Sequence, residues 1–187
     1  EYSKNGGEWT TLTAAGVTLA AAEKVMFRGD NNSYNGYLFH INDGLCYAYG
    51  NIMSLISSTA YATTTTLTAN YAFAKLFFQQ ANLLSKDDNP LRLPATTLAK
   101  DCYSEMFREC AALTTAPALP ATTLTSKCYS YMFNGCSSLT AAPELKATTL
   151  AERCYTNMFM NCSSLTSAPD LPAETLVSGC YDGMFLN

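Results

Sequence analysis

Residues 93–187 state one pattern four times: LPATTLAKDCYSEMFRECAALTTAPA, LPATTLTSKCYSYMFNGCSSLTAAPE, LKATTLAERCYTNMFMNCSSLTSAPD and a shortened LPAETLVSGCYDGMFLN. The period is 26 residues. A unit this short cannot bury its own apolar side, so tandem copies must stack and share one continuous core. That predicts a solenoid, and it moves expectation from catalysis toward binding.

Comparing the copies with each other separates inside from outside. Leu98, Leu124, Leu150 and Leu176 recur, as do Cys102, Cys128, Cys154 and Cys180, then Met106, Met132, Met158 and Met184. Cys110, Cys136 and Cys162 continue the series, and Phe107, Phe133, Phe159 and Phe185 widen it. A spacing of four is that of one helix face, so each copy is expected to carry a short helix with these residues buried. The positions that drift also come in fours. Lys100, Asp101, Ser104, Glu105, Arg108 and Glu109 give way to Ser126, Lys127, Ser130, Tyr131, Asn134 and Gly135, then to Glu152, Arg153, Thr156, Asn157, Met160 and Asn161. These read as the exposed face, where the sequence is free to specify a partner.

The other half of each copy reads as extended. Leu113, Leu139 and Leu165 each open a Leu-x-x-Ala-Pro run suited to a short parallel strand, with Pro117, Pro143 and Pro169 expected to end the pairing because proline offers no ladder N–H. The Thr-Thr-Leu segments beginning at Thr96, Thr122 and Thr148 suit a second extended stretch. Copies would sit about 4.8 Å apart, placing Thr114, Thr140 and Thr166 in a surface ladder.

The run C-x-x-L-x-x-A-P-x-L-P-A-T-T-L followed by C-Y-x-x-M-F resembles the leucine-rich repeat of BspA-like bacterial surface proteins, over about half the chain. GNIMSLI at 50–56, the Thr run at 63–67 and residues 71–77 are similar to the segment preceding those repeats. The resemblance implies an extracellular or cell-surface (or virion-surface) module for adhesion or partner binding, with no active site of its own. It names no ligand.

Seven of the eight cysteines lie in the two repeat columns, and Cys46 stands alone upstream. On a helix, Cys102 and Cys110 would be about 12 Å apart, beyond disulfide reach. Stacked neighbours such as Cys102 and Cys128 point in parallel and rarely offer the required dihedral. The seven are therefore read as buried thiols filling a structural ladder. Zinc is disfavoured, since there is no close Cys pair and His40 is the one histidine. Tyr103, Tyr129, Tyr155 and Tyr181 form a further column, expected to pack with their hydroxyls wet at one edge.

Composition agrees with one elongated domain: 187 residues, 48% apolar and 14% charged. No apolar run approaches the roughly 18–20 residues of a membrane span, and a net charge of −4 leaves no basic stripe for nucleic acid. Glu1 follows no initiator Met or leader, which implies a signal segment removed or a start downstream of one. The last copy stops one residue short of its second Cys, which suggests further chain or a partner at that end. Residues 9–12, 16–19, 24–28, 37–42 and 45–49 read as strands of an antiparallel cap covering 1–48. Residues 49–92 read as degenerate repeats: the segment 49–55 parallels 133–139, Leu76 and Phe77 stand for Met-Phe, Gln80 takes a Cys position, and SKDDN at 85–89 is an insertion loop. Residues 93–187 complete a single solenoid.

Other chemistry is weak in the sequence. Residues 29–36 have the look of a calcium loop, but Tyr34 occupies a ligand position and Ile41 sits where the closing Glu belongs. No phosphate-cradling glycine motif and no catalytic triad can be assembled, and Asp87 and Asp88 lie in a polar loop. The sequence thus predicts an α/β fold: a right-handed, leucine-rich-repeat-type solenoid of short parallel strands and short helices with an N-terminal β cap. It is expected to act without catalysis, metal or cofactor as an adhesion module binding a protein. The contact residues expected are Glu105, Arg108, Tyr131, Asn134, Asn157 and Met160 on the drifting face and Lys86, Asp87 and Asp88 in the loop. Two alternatives stay open. One is glycan binding through Trp9, Tyr34, Tyr37 and the Tyr column; the other is a phage or fimbrial assembly component docking through its C-terminal repeat.

Overall fold

A computed structural model describes residues 1–30, 39–41 and 44–187. Its organising feature is a stack of coils, one per copy, in which equivalent residues lie side by side. Tyr103, Tyr129, Tyr155 and Tyr181 stack face to face with ring centroids 5.7–5.8 Å apart, and Phe73 heads the same column 5.7 Å from Tyr103. Phe39, Phe77, Phe107, Phe133, Phe159 and Phe185 form a second column at 5.5–5.8 Å. Leu, Met and Cys from the repeated positions fill the space between the columns, so a single core runs along the stack.

The segments expected to be helices are not helical. The one helix among the described residues is a 3-10 turn at Ile52–Leu55. In residues 101–110 the backbone N–H groups alternate between two destinations. Asp101, Tyr103, Glu105, Phe107 and Glu109 donate to carbonyls of the next coil, those of Ser126, Cys128, Ser130, Met132 and Asn134, at 2.7–3.1 Å. Between them Ser104, Met106, Arg108 and Cys110 donate three residues back, to Asp101, Tyr103, Glu105 and Phe107. The result is a ribbon of overlapping β-turns, sealed to its neighbour by every second residue. Residues 71–80, 127–136 and 153–161 repeat the scheme.

Two physical reasons exclude the helix. Helix axes pack no closer than about 8–10 Å, whereas the rings demand coils within 5.8 Å of each other. An α-helix also spends every N–H internally, leaving none to join one coil to the next. The ribbon keeps the same four-residue rhythm of two residues in and two out, which is why the sequence looks helical. Its backbone signature is a left-handed residue every fourth position: Asp101, Glu105 and Glu109 at φ 54, 56 and 63, then Lys127, Tyr131 and Gly135, then Arg153, Asn157 and Asn161. Glu105, for example, is the third residue of the turn from Tyr103 to Met106, a place that type II turns give to positive φ. Gly, Asn and Asp in these columns carried the signal against a helix.

The extended half of each copy pairs in parallel but sparsely, through the bridges Thr115 to Ala141, Leu119 to Leu145, Thr123 to Thr149 and Thr66 to Thr97. Pairing does not end at the prolines; it resumes two residues after Pro117 and Pro143. Thr114, Thr140 and Thr166 are exposed in a column, with Thr140 and Thr166 donating their N–H to the preceding threonine's carbonyl at 3.4 and 3.3 Å.

At the N-terminus, β1 (Tyr2–Lys4) pairs antiparallel with β2 (Val25–Phe27), and Tyr2 also bridges Thr10. The antiparallel part is smaller than the expected five strands: residues 16–19 form none, and of 37–42 the described residues 39–41 form none either. β3 (Cys46–Tyr47) lies parallel to β5 (Leu83–Leu84), and β4 (Gly50–Asn51) to β6 (Leu91–Arg92). Residues 45–49 therefore belong to the parallel stack and not to a cap. The register also corrects the alignment of 49–55 with 133–139, because Gly50 sits beside Leu91, two residues before the Leu93 that opens the first full copy. Gln80 does stand where later copies have Cys: its N–H donates to Phe77 as that of Cys110 does to Phe107.

The turn ribbon makes a prediction opposite to that of a helix at Glu109, whose equivalents are Gly135 and Asn161. Both Glu109→Gly and Glu109→Ala remove the contact from Gln79 Nε2 at 2.9 Å. With φ at 63, the Gly variant should be the more stable by about 1 kcal/mol, measured by urea denaturation; on a helix Ala would win by a similar margin.

Candidate functional site

The four-residue rhythm brings part of the drifting set, together with Asp182, to a shallow concavity of about 450 Å³ spanning four coils. Its walls are Asp101, Ser104 and Glu105 from the first coil, Lys127, Ser130 and Tyr131 from the second, Arg153, Thr156 and Asn157 from the third, and Asp182 from the fourth. Every one of these ten residues has its backbone N–H donated to a protein carbonyl and its own carbonyl occupied by a protein N–H. Only side chains are therefore free to make new hydrogen bonds in this groove.

Glu105 anchors one end. Its carboxylate lies 2.8 Å from the Arg108 guanidinium and 3.4 Å from Lys75 Nζ. Arg108 is also 3.5 Å from Glu109 and is sandwiched between the rings of Phe78 and Tyr131, at 5.6 and 5.5 Å. Tyr131 is thereby held in place. Asp101, read from the sequence as exposed, is 6% exposed; burial raises its carboxyl pKa, against the opposing pull of the nearby Lys127 and Lys100 charges. Ser130 and Thr156 are buried too, Thr156 donating its hydroxyl to the Gly179 carbonyl at 2.8 Å.

Of the residues expected as contacts, Glu105, Tyr131 and Asn157 meet in the groove. Asn134 does not qualify, because it is 6% exposed. Arg108 braces the groove from beside it, and Met160 lies half-buried outside it. The insertion loop is a separate feature. Ser85 accepts the N–H groups of Thr115 and Thr114 and donates to the Thr115 carbonyl, so the loop is tied to the next coil. Asp87 accepts from the Thr115 hydroxyl at 3.3 Å. Lys86 pairs with Asp88 at 2.8 Å, which raises the Lys86 pKa and lowers that of Asp88, and it reaches over the rings of Tyr47 and Tyr49. Sequence reasoning missed Tyr47, which comes beside the loop only once the register is known.

The Tyr column is not a wet edge. Tyr103, Tyr129 and Tyr155 are at most 2% exposed, and the hydroxyls of Tyr103, Tyr129 and Tyr181 are buried without a hydrogen-bond partner. That removes the column from the glycan reading of the sequence. Of its other aromatics, Trp9 stays exposed with the Arg28 guanidinium 4.1 Å from its ring centre, while Tyr34 and Tyr37 lie outside the described residues, as does most of the calcium-like loop at 29–36.

All eight cysteines are free thiols, seven of them buried. Cys110, Cys136 and Cys162 each point an Sγ at the carbonyl of the Phe in the preceding coil, at 3.0–3.1 Å from Phe77, Phe107 and Phe133. Burial pushes Cys102 and Cys110 up to about 12 and Cys162 to about 11, and raises Cys128, Cys136 and Cys154 as well. Among the described residues no group of three or more His, Cys, Asp or Glu could hold a metal ion, and no helix is long and apolar enough to cross a membrane. The chain matches no family model, no curated protein and no solved structure.

Two outcomes follow from this core. A thiol whose folded pKa is raised contributes stability that is full below its unfolded value near 8.5 and lost as pH climbs through the folded value. The melting temperature in reducing buffer should therefore fall steeply between about pH 9 and pH 12, with Tyr103 and Tyr129, raised by the same burial, acting in the same direction. Separately, an unpaired buried hydroxyl carries a desolvation cost of about 1–3 kcal/mol, so Tyr129→Phe should unfold at equal or higher urea concentration than the parent. Phe73 already fills this column in the coil upstream.

Proposed function

We propose that this chain is a non-enzymatic extracellular adhesion module, a leucine-rich-repeat-type solenoid of the kind its repeats resemble in BspA-like bacterial surface proteins. Its partner is a surface protein of a host or of another bacterium, taken on the drifting face. The observation that carries this reading is the division of labour within each copy. Residues that recur fill the core of the first three copies, while part of the set that differs between copies, Glu105, Tyr131 and Asn157 included, lines one open groove. A stack needs its buried columns identical, but nothing in stacking calls for Glu105, Tyr131 and Asn157 to succeed one another along a shared concavity. Binding sites on repeat proteins arise in this manner, from varied side chains on a regular scaffold. The low net charge of −4 permits close, largely uncharged contact.

The test is capture of partners from mucosal and bacterial-surface extracts by the parent chain and by a Glu105→Ala, Tyr131→Ala, Asn157→Ala variant whose fold is checked by its melting curve. A partner held by the parent and lost by the folded variant is the expected result. Equal capture by both would overturn the assignment of function to this face.

A further inference from the structure

The N-terminal sheet has one closed edge and one open edge. Its order runs from the segment around Thr10 through β1 to β2, since Tyr2 bridges Thr10 on one side and Phe27 on the other. On the β2 side the Phe27 carbonyl accepts the Ser54 hydroxyl at 3.1 Å and the Gly29 N–H donates to the Ser54 carbonyl at 2.9 Å, which joins the sheet to the chain that follows. The other side is bare. Thr10 exchanges both of its main-chain hydrogen bonds with Tyr2 at 2.8 Å, and in an antiparallel ladder the residues flanking such a pair turn their N–H and C=O groups the opposite way. The main-chain groups of Trp9 and Thr11 therefore face outward, and among the described residues they have no hydrogen-bond partner. Natural edges are guarded by charge, by proline or by cover. Here residues 9–22 carry neither a charged side chain nor a proline, and Trp9, Thr10, Thr11 and Leu12 are all exposed. Arg28, which stands over the Trp9 ring, is already paired with Glu1 at 2.8 Å.

We propose that two copies of the chain pair along this edge, residues 9–11 of one running antiparallel to residues 9–11 of the other about a two-fold axis at Thr10. A second copy is favoured over an unrelated strand because the edge is complementary to itself. Its outward groups lie at Trp9 and Thr11, on either side of Thr10, so a two-fold axis there sets the N–H and C=O of Trp9 against those of Thr11 in the second copy and gives each donor an acceptor. Thr10 then meets Thr10, a favourable cross-strand pair. Glu8, the carboxylate beside the segment, falls opposite Leu12 of the second copy and not against its own kind. A register shifted by one residue sets outward groups against inward ones and forms none of these bonds. The joined sheet continues from β2 through β1 and residues 9–11 into the second copy, which removes the open edge from both. The groove and this edge are separate surfaces, and neither assignment depends on the other.

The experiment is sedimentation equilibrium of the whole chain at concentrations from about 10 μM to about 1 mM in low salt. The parent is compared with Thr10→Lys, with Thr10→Glu, with an equal mixture of those two, and with a Thr140→Lys control on the exposed threonine column. Thr10 is exposed and holds Tyr2 through its main chain alone, so each variant should melt at the parent's temperature. The parent should rise from the 20.3 kDa of one chain toward twice that mass, and Thr140→Lys should follow it. Each Thr10 variant alone sets like charges opposite one another and should associate more weakly than the parent, while the mixture should associate about tenfold more tightly than either component. A parent that stays at the mass of one chain throughout overturns the proposal and leaves the edge to a strand of another protein. Association of Thr10→Lys equal to that of the parent, or a mixture no tighter than its components, places any contact elsewhere and overturns it as well.

Discussion

Alternate backbone N–H groups in each turn ribbon point along the stack or back into their own coil, and the remaining features depend on that division. The groups directed along the stack bring successive coils close enough for rings to stack at 5.5–5.8 Å. Those directed inward close the β-turns that set two residues into the core and two outside. The backbone is thereby satisfied without helix or long strand, so a 26-residue unit is stabilised by its neighbours rather than by itself.

The same division decides which side chains are available for recognition. Because the main chain along the groove is fully engaged, only the varied side chains remain free to meet a ligand there. The recurring thiols fit the complementary role. Cys110, Cys136 and Cys162 are compact enough to fill the core while offering a weak donor to the Phe carbonyls of the preceding coil. Gln80, in the same position one coil upstream, instead accepts the Ile41 N–H and donates to the Phe78 carbonyl.

Much of the core was legible from internal comparison alone, because a column that repeats without change must satisfy the same environment in every coil. Leu98, Cys102, Met106, Phe107 and Cys110 are all buried as the pattern implies. The turn ribbon looks helical in sequence for a definite reason: a period of four residues is nearly the helical 3.6, and over nine residues the two cannot be told apart. The residues that broke the tie were Gly135, Asn157, Asn161, Gly179 and Gly183, poor choices inside a helix and natural ones at positive φ.

The sequence by itself determined the repeat length, the inward columns and the face on which copies differ, since each is a statement about identity between copies. Only the tertiary structure decided what lies beside what. Packing buried Asp101 and Asn134 on a face read as exposed, and it enclosed the tyrosine hydroxyls. Those outcomes depend on the distance between coils and on where each N–H is spent, and both are settled only when the coils pack against one another.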